Sequence, residues 1–469
     1  MTDFTMTIDG KAETAQRSFG VINPATGEVF ASAPDCTRAQ LESALESAQT
    51  AFRAWRKDEA RRRQSLLDCA AAIQARAGEL APLLTREQGK PLAKAMMEVM
   101  GSAIWFQYTA SLSLPVEVIQ DDENARVEVR RRPLGVVGAI TPWNFPLLLG
   151  VWKLAPALLA GNTGVIKPSP FTPLSTLKLV EILRPVLPAG VLNAVSGGDE
   201  LGAWITASPI PRKISFTGSI ATGKKVAAAS APDLKRLTLE LGGNDPAIVL
   251  GDVDPKAVAK KLFASAFENC GQVCTAIKRV YVPEELYAPV VDELAELANA
   301  IVVGNGEQPG VELGPINNKP QFERVKELVE EARASGARIV TGGKTIGDKG
   351  YFYAPTIVAD IAEGTRLVDE EQFGPALPVI AYRRIEDAIE RANATHFGLG
   401  ASVWSSDRDR AAEIAGELEC GSAWVNTHLA LAPNIPFGGA KWSGIGVENG
   451  SWGLLGFTEI QVVNVNRGA

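Results

Sequence analysis

From residue 134 onward, short apolar segments alternate with longer helical ones. LGVVGAI (134–140), TGVIKPS (163–169), VLNAV (191–195) and KISFTG (213–218) have strand character. PLLLGVWKLAPALLAG (146–161), TPLSTLKLVEILRPV (172–186) and TGKKVAAAS (222–230) have helix character. Alternation of this kind predicts a parallel, doubly wound sheet. A second α/β stretch follows over 246–430, with strands at AIVL, RVYVP, ARIVT and ASVWS, and EIQVVNVN near the C-terminus reads as one more strand.

The flanking regions differ in pattern. Residues 38–110 are Ala-, Leu- and Arg-rich with few breakers, and predict helices. Within them the basic run Arg53–Arg63 reads as a solvated helix face, because Asp58 and Glu59 interrupt it and Trp55 is its only Trp. VEVIQ and ARVEVRRRP, between 115 and 140, alternate apolar and charged positions as an exposed hairpin would. No repeat or low-complexity linker separates the parts.

Composition narrows the function. Lys+Arg minus Asp+Glu is 47 − 54 = −7, a poor match to nucleic-acid or anionic-membrane binding. Five cysteines in 469 residues do not form a secreted disulfide framework. The N-terminus lacks the basic and apolar regions of a signal peptide, so a reducing cytoplasm is expected. The apolar stretch 145–166 carries Lys153, Pro156 and three glycines, and reads as a buried helix running into a buried strand. His396 and His428 are the only histidines, which leaves a carboxylate, Lys or Tyr as the expected base and no metal site expected.

Two segments carry chemistry. Gly218–Lys225 follows a strand and opens a helix, which places backbone N–H groups and the positive helix end at an anion. It departs from the P-loop at Lys225, where that motif needs Ser or Thr for magnesium. In FENCGQVCTA (267–276), Cys274 sits among small and polar residues, unlike a structural cysteine. Cys270 precedes it by four, but zinc would need a second such pair or histidines. Glu240 lies in the apolar stretch TLELGG. Burial there would raise its pKa toward that of a general base, and a structural Glu paired to an amide fits the pattern equally well.

Seven motifs, in order, make the chain resemble the aldehyde dehydrogenase superfamily from about residue 15 to the C-terminus. They are TPWNFPL (141–147), IKPSPFTPLS (166–175), FTGSIATG (216–223), LELGGNDP (239–246), FENCGQVCTA (267–276), EEQFGP (370–375) and PFGGAKWSGIG (436–446). The resemblance implies two doubly wound α/β domains plus a strand-based oligomerisation segment. The coenzyme domain is expected at 1–116 and 134–242, the catalytic domain at 243–436, and the oligomerisation segment at 117–133 and 456–469. A homodimer or homotetramer is implied.

The same resemblance assigns roles. Cys274 would attack an aldehyde, giving a thiohemiacetal and then a thioester, with the Asn144 amide and the Cys274 N–H holding the oxyanion. Glu240 would activate water to release the carboxylic acid. Lys153 and Glu448 match positions linked to a proton path, and a buried ion pair is the plainer reading. NAD is the implied coenzyme, held by Thr141, Pro142, Trp143, Lys167, Gly218, Ser219, Gly223, Glu371 and Phe373. Pro170 stands where many NAD-preferring members carry Glu, which removes a barrier to NADP. Phe145, Trp152, His428, Leu429 and Leu431 would line the substrate mouth, favouring an apolar aliphatic or aromatic aldehyde. His396 is expected to be structural. A CoA-acylating semialdehyde dehydrogenase, a non-catalytic structural protein on the same fold, and a cysteine hydrolase are the competing readings.

Overall fold

Five parallel strands form the centre of the first sheet in the computed structural model, which describes residues 4–468. In chain order they are Val136–Ile140, Thr163–Lys167, Leu192–Ala194, Pro211–Thr217 and Arg236–Glu240. In space they run fifth, fourth, first, second, third. The first two are buried at every residue, as strands covered by helices on both faces must be. One of those helices, Pro146–Ala160, is buried at every position except Leu148. Pro146 stands at its start, and Gly161 closes it at φ 97° in the left-handed region.

Strand order reverses between Val136–Ile140 and Pro211–Thr217. In an open α/β sheet, ligands bind beyond the carboxyl ends of the strands at such a reversal. Thr141–Asn144 leaves one strand there, and Gly218–Ser219 leaves the other.

The second sheet has seven strands in the order Arg338–Thr341, Thr356–Ala359, Ala376–Tyr382, Ile277–Pro283, Asp245–Val249, Gly400–Trp404, Ser422–Val425. All neighbours are parallel except the first pair. Glu240 ends its strand in the first sheet, and Asp245 begins one in the second. Cys274 lies just ahead of the central strand Ile277–Pro283. The carboxyl end of one sheet therefore meets the amino end of a strand in the other.

Thr458–Asn466 pairs antiparallel with Ala125–Pro133, which pairs in turn with Glu117–Asp121. Val118, Ile119, Ile460, Val462 and Val465 of this ribbon are exposed. Among the described residues, no helix is long and apolar enough to cross a membrane.

Two features depart from the sequence reading. Strands at Met6–Ile8 and Lys11–Glu13 are too short to stand out, and those at Ser18–Asn23 and Glu28–Pro34 mix small, polar and apolar residues without strict alternation. Arg62 is not on a solvated face. It is buried, and its guanidinium donates to the carbonyls of Leu159 at 2.8 Å and Arg56 at 3.0 Å. The guanidinium caps free carbonyls at the ends of two helices, Leu159 of Pro146–Ala160 and Arg56 after Arg38–Trp55.

Candidate active site

A cavity of about 550 Å³ opens at the strand reversal. Pro142, Trp143, Gly218, Ser219, Glu371 and Phe373 are on its wall, as is Asn144. The helix Ile220–Ser230 points its N-terminus here, and Ser219 caps it by accepting the Thr222 N–H at 3.2 Å. Gly223 is a packing residue, because a Cβ there would fall 2.5 Å from the Leu241 side chain. Thr141 and Lys167 also lie off this wall. The Lys167 ammonium is buried, donates to the Pro168 carbonyl at 3.1 Å, and is held down to about 8 by desolvation.

Glu371 is drawn in from the facing sheet. It accepts the Gly243 N–H at 3.1 Å and lies 3.5 Å from the Lys278 ammonium. Burial raises its pKa, with Lys278 opposing. Any side chain at Gly242 would strike it, since a Cβ there would sit 2.3 Å from Oε2. Phe373 adopts φ 46° and sets its ring edge-on to Trp143, with centroids 5.2 Å apart.

A second cavity, about 160 Å³ and largely apolar, adjoins the first. Cys274 and Asn144 stand on the walls of both. Phe145, Trp152, Leu429 and Leu431 line the second cavity together with Leu148, Leu149 and Phe437. Trp152 is fixed by stacking on Trp105, centroids 5.7 Å apart. The one charged group toward the rim is Glu268, which is half-buried and paired with Lys94 at 2.7 Å.

Glu240 also opens into this cavity. Neither of its carboxylate oxygens has a hydrogen-bond partner. Burial raises its pKa well above the usual carboxylate range, the Glu448 charge adds to the rise, and Lys153 offsets part of it. Lys153 and Glu448 form an ion pair at 2.7 Å with both side chains fully buried, and Lys153 also donates to Thr217 Oγ1 at 2.7 Å. The second Glu448 oxygen is unpartnered. The Cys274 thiol is pushed up to about 12, chiefly by burial; the Lys278 ammonium opposes this and Glu240 adds to it.

Asn144 is itself held firmly. Its side-chain Nδ2 donates to the Gln272 carbonyl at 2.9 Å, which leaves the second N–H of that amide unspent. A thiol, an amide N–H and an unpaired carboxylate around one apolar space can add a nucleophile to a carbonyl, hold the oxyanion and accept a proton from water.

The sequence pattern of the aldehyde dehydrogenase family matches residues 11–463. The chain belongs to the aldehyde dehydrogenase family. It is 41% identical to phenylacetaldehyde dehydrogenase of Pseudomonas fluorescens, a match covering 97% of this chain and 94% of that protein. It is 40% identical to retinaldehyde dehydrogenase 3 of Rattus norvegicus, with 96% and 90% covered. Among solved structures, the NAD+ complex of aldehyde dehydrogenase from Bacillus cereus superposes with a TM-score of 0.97 at 35% identity, covering 99% of this chain and 96% of that one.

In this aldehyde dehydrogenase, one expected substrate residue lies elsewhere. His428 is buried behind the loop that presents Leu429 and Leu431. Its Nε2 donates to the Thr275 carbonyl at 2.8 Å, and its ring packs on Trp424. It braces the wall from outside the cavity. His396, expected to be purely structural, lines the 550 Å³ cavity and packs on Trp442.

Sequence reasoning missed three further groups. Gln321 and Arg324 hold the loop bearing Glu371, with Gln321 donating to the Gln372 carbonyl at 2.7 Å and Arg324 to Glu370 at 2.9 Å. They sit on a solvated-looking helix, and nothing local marks them. Lys278 donates to the Cys274 carbonyl at 2.6 Å. Two adjacent cations, Lys278 and Arg279, in the otherwise apolar strand Ile277–Pro283 are a usable signal.

Proposed function

We propose that this aldehyde dehydrogenase oxidises apolar aliphatic or aromatic aldehydes to carboxylic acids, with Cys274 as nucleophile and NAD as coenzyme. The observation that carries this reading is the shared wall. Cys274 and Asn144 stand between a cavity at the strand reversal and a small apolar cavity holding an unpaired, buried carboxylate.

The larger cavity suits a dinucleotide. It offers a capped helix N-terminus for pyrophosphate and the Glu371 carboxylate for ribose hydroxyls. Trp143 and Phe373 add flat apolar surface. Lys167 stands behind the wall, as a second positive group near the strand end. Pro170 offers no carboxylate to repel a 2′-phosphate, so some NADP use is expected beside NAD.

In the mechanism, the Cys274 thiol gives up its proton to water in the cavity, and the thiolate sulfur adds to the aldehyde carbon, forming a C–S bond. The carbonyl π pair moves to oxygen, which the Asn144 N–H and the Cys274 backbone N–H hold. The bound coenzyme supplies hydride acceptance, which leaves a thioester on Cys274. Glu240 then takes a proton from water as the hydroxyl oxygen attacks the thioester carbon. Collapse expels the sulfur and releases the acid. Glu240 passes its proton outward by way of the Lys153–Glu448 pair, which adjoins it electrostatically.

The apolar wall and the Glu268 carboxylate disfavour aldehydes with a distal carboxylate. Glu240 supports hydrolysis over transfer to CoA, which has no need of a base for water. The segments 1–116 and 134–242, 243–436, and 117–133 with 456–469 serve as coenzyme, catalytic and oligomerisation units. The exposed Ile460, Val462 and Val465 support burial in a homodimer or homotetramer. A cytoplasmic location accords with five free cysteines.

The test is an aldehyde panel followed by NAD(P)H absorbance, with Cys274→Ala as control. Oxidation of octanal or benzaldehyde that vanishes in Cys274→Ala is expected. Acyl-CoA as the product when CoA is supplied would overturn the hydrolytic reading.

A further inference from the structure

We propose that Lys90, through a buried pair with Glu98, is the positioning residue that aims Asn144 at the reacting carbonyl. This rests on the reading of Asn144 as an oxyanion donor given above. Lys90 lies in the turn Gly89–Pro91, between the helices Ala77–Gln88 and Leu92–Ser111. Its side chain and that of Glu98 are each 1% exposed. An ammonium so deeply buried needs a full set of acceptors.

Lys90 finds those acceptors at the proposed oxyanion residue. Its Nζ donates to Glu98 Oε2 and, at 2.8 Å, to the main-chain carbonyl of Asn144. It also stands 3.7 Å from the centre of the Phe145 ring, which lines the substrate cavity. The other Glu98 oxygen, Oε1, accepts the N–H groups of Leu147 at 3.0 Å and Leu148 at 3.2 Å. Those are free donors of the first turn of Pro146–Ala160. One ion pair thus grips both the residue that would hold the oxyanion and the helix that follows it.

The other side of Asn144 is tied to the cysteine loop. Asn269 Nδ2 donates to the same Asn144 carbonyl at 3.2 Å, and Asn144 Nδ2 donates to the Gln272 carbonyl. Lys90 therefore makes the shorter of two bonds to the Asn144 carbonyl, and the loop before Cys274 makes the other and fixes the side-chain amide. Removing Lys90 leaves the Asn144 carbonyl to the longer Asn269 bond alone, with no tie left to the helix Leu92–Ser111 that carries Glu98. An oxyanion donor displaced by a fraction of an ångström loses much of its effect, because its value lies in being pre-aimed.

The experiment compares Lys90→Met, Asn144→Ala and the double variant in the full-length enzyme. Three readouts are taken: the rate of aldehyde oxidation, the rate of Cys274 alkylation by iodoacetamide, and NAD affinity by tryptophan fluorescence. Alkylation is a direct displacement that forms no oxyanion, so it reports on the thiol alone. Asn144→Ala is expected to lower oxidation by about 100-fold or more, the usual loss for one oxyanion donor. Lys90→Met should lower kcat by at least about tenfold, with NAD affinity and alkylation within about twofold of the parent. The double variant should be no slower than Asn144→Ala alone, because the two act through one donor.

Losses that multiply in the double variant would overturn the proposal. So would a folded Lys90→Met enzyme with full oxidation, or one in which alkylation and NAD binding fall in step with oxidation. If Lys90→Met does not fold, Lys90→Met/Glu98→Gln removes both buried charges and is read in the same way. If that variant also fails to fold, the pair is a structural element and the proposal is lost. Unchanged oxidation in Asn144→Ala would instead sink the oxyanion reading on which this one rests.

Discussion

Glu240 closes a strand of one sheet and Cys274 precedes a strand of the other, and both open into the same apolar cavity. The carboxylate has no hydrogen-bond partner, so the fold gives up stability there to hold a base beside a thiol. Glu240→Gln should abolish steady-state oxidation by about 10²–10⁴-fold while leaving the first acyl-enzyme turnover, read as a burst of NADH. It should also raise Tm. The sign follows from the raised folded pKa. The unfolded carboxyl ionises near pH 4.3, whereas the folded one stays protonated to higher pH, so the wild type loses stability as pH rises between the two. The Tm advantage of Glu240→Gln should therefore grow from pH 5 toward neutrality. A flat difference would count against it.

The Cys274 thiol, pushed up to about 12 by burial, is almost wholly protonated in the coenzyme-free enzyme. Its alkylation by iodoacetamide should rise about tenfold per pH unit between pH 7 and 10, because only thiolate reacts. The Lys278 ammonium opposes the rise in pKa, so Lys278→Met should react more slowly at every pH. A plateau near pH 8 would contradict this environment.

Lys153 and Glu448 are fully buried against each other. Lys153→Met strands Glu448 without its cation and should cost about 3–5 kcal/mol in urea unfolding. Thermal melts of the double variant Lys153→Met/Glu448→Gln should recover most of that loss, since neither buried charge is then alone. Because the pair carries the proton outward, deacylation should slow in every variant, and a double variant that keeps its deacylation rate would overturn that role.

Substrate choice should follow the wall. Octanal and benzaldehyde should exceed succinic semialdehyde in kcat/KM. Glu268→Gln, which removes the rim carboxylate, should narrow that gap and leave octanal nearly unchanged. Faster turnover of succinic semialdehyde by the parent enzyme would refute the apolar preference.

Coenzyme choice turns on the strand end at Lys167. NAD is expected to lead in kcat/KM with measurable NADP use. A preference for NADP above tenfold, worth about 1.4 kcal/mol, would reverse the assignment.

The parallel sheets were legible because fully buried strands read as short apolar runs between longer helical patterns. Cys274, Glu240 and Gly218–Ser219 were legible because each sits in a local motif. Lys90 and Glu98 were not. In sequence they look like charges on a turn and a helix, and only tertiary contact to Asn144 removes them from water. Arg62 was misread for the same reason, as part of a basic run. His428 reads as a cavity residue because it adjoins Leu429, but the backbone turns there, with Leu429 at φ 61°, and sends the imidazole to the Thr275 carbonyl instead.

Much of the site is contributed late in the chain. Gly444–Ile445 pairs with Leu239 and Glu240, Ser443 donates to the Gly242 carbonyl, and Glu448 neutralises Lys153. On the ribosome, Cys274 and Glu240 emerge long before these partners. Until then Glu240 lies on an open strand edge, and Lys153 has no counter-charge in an apolar helix. A truncation just short of Glu448 should therefore yield a polypeptide with Cys274 and Glu240 present but without a competent site.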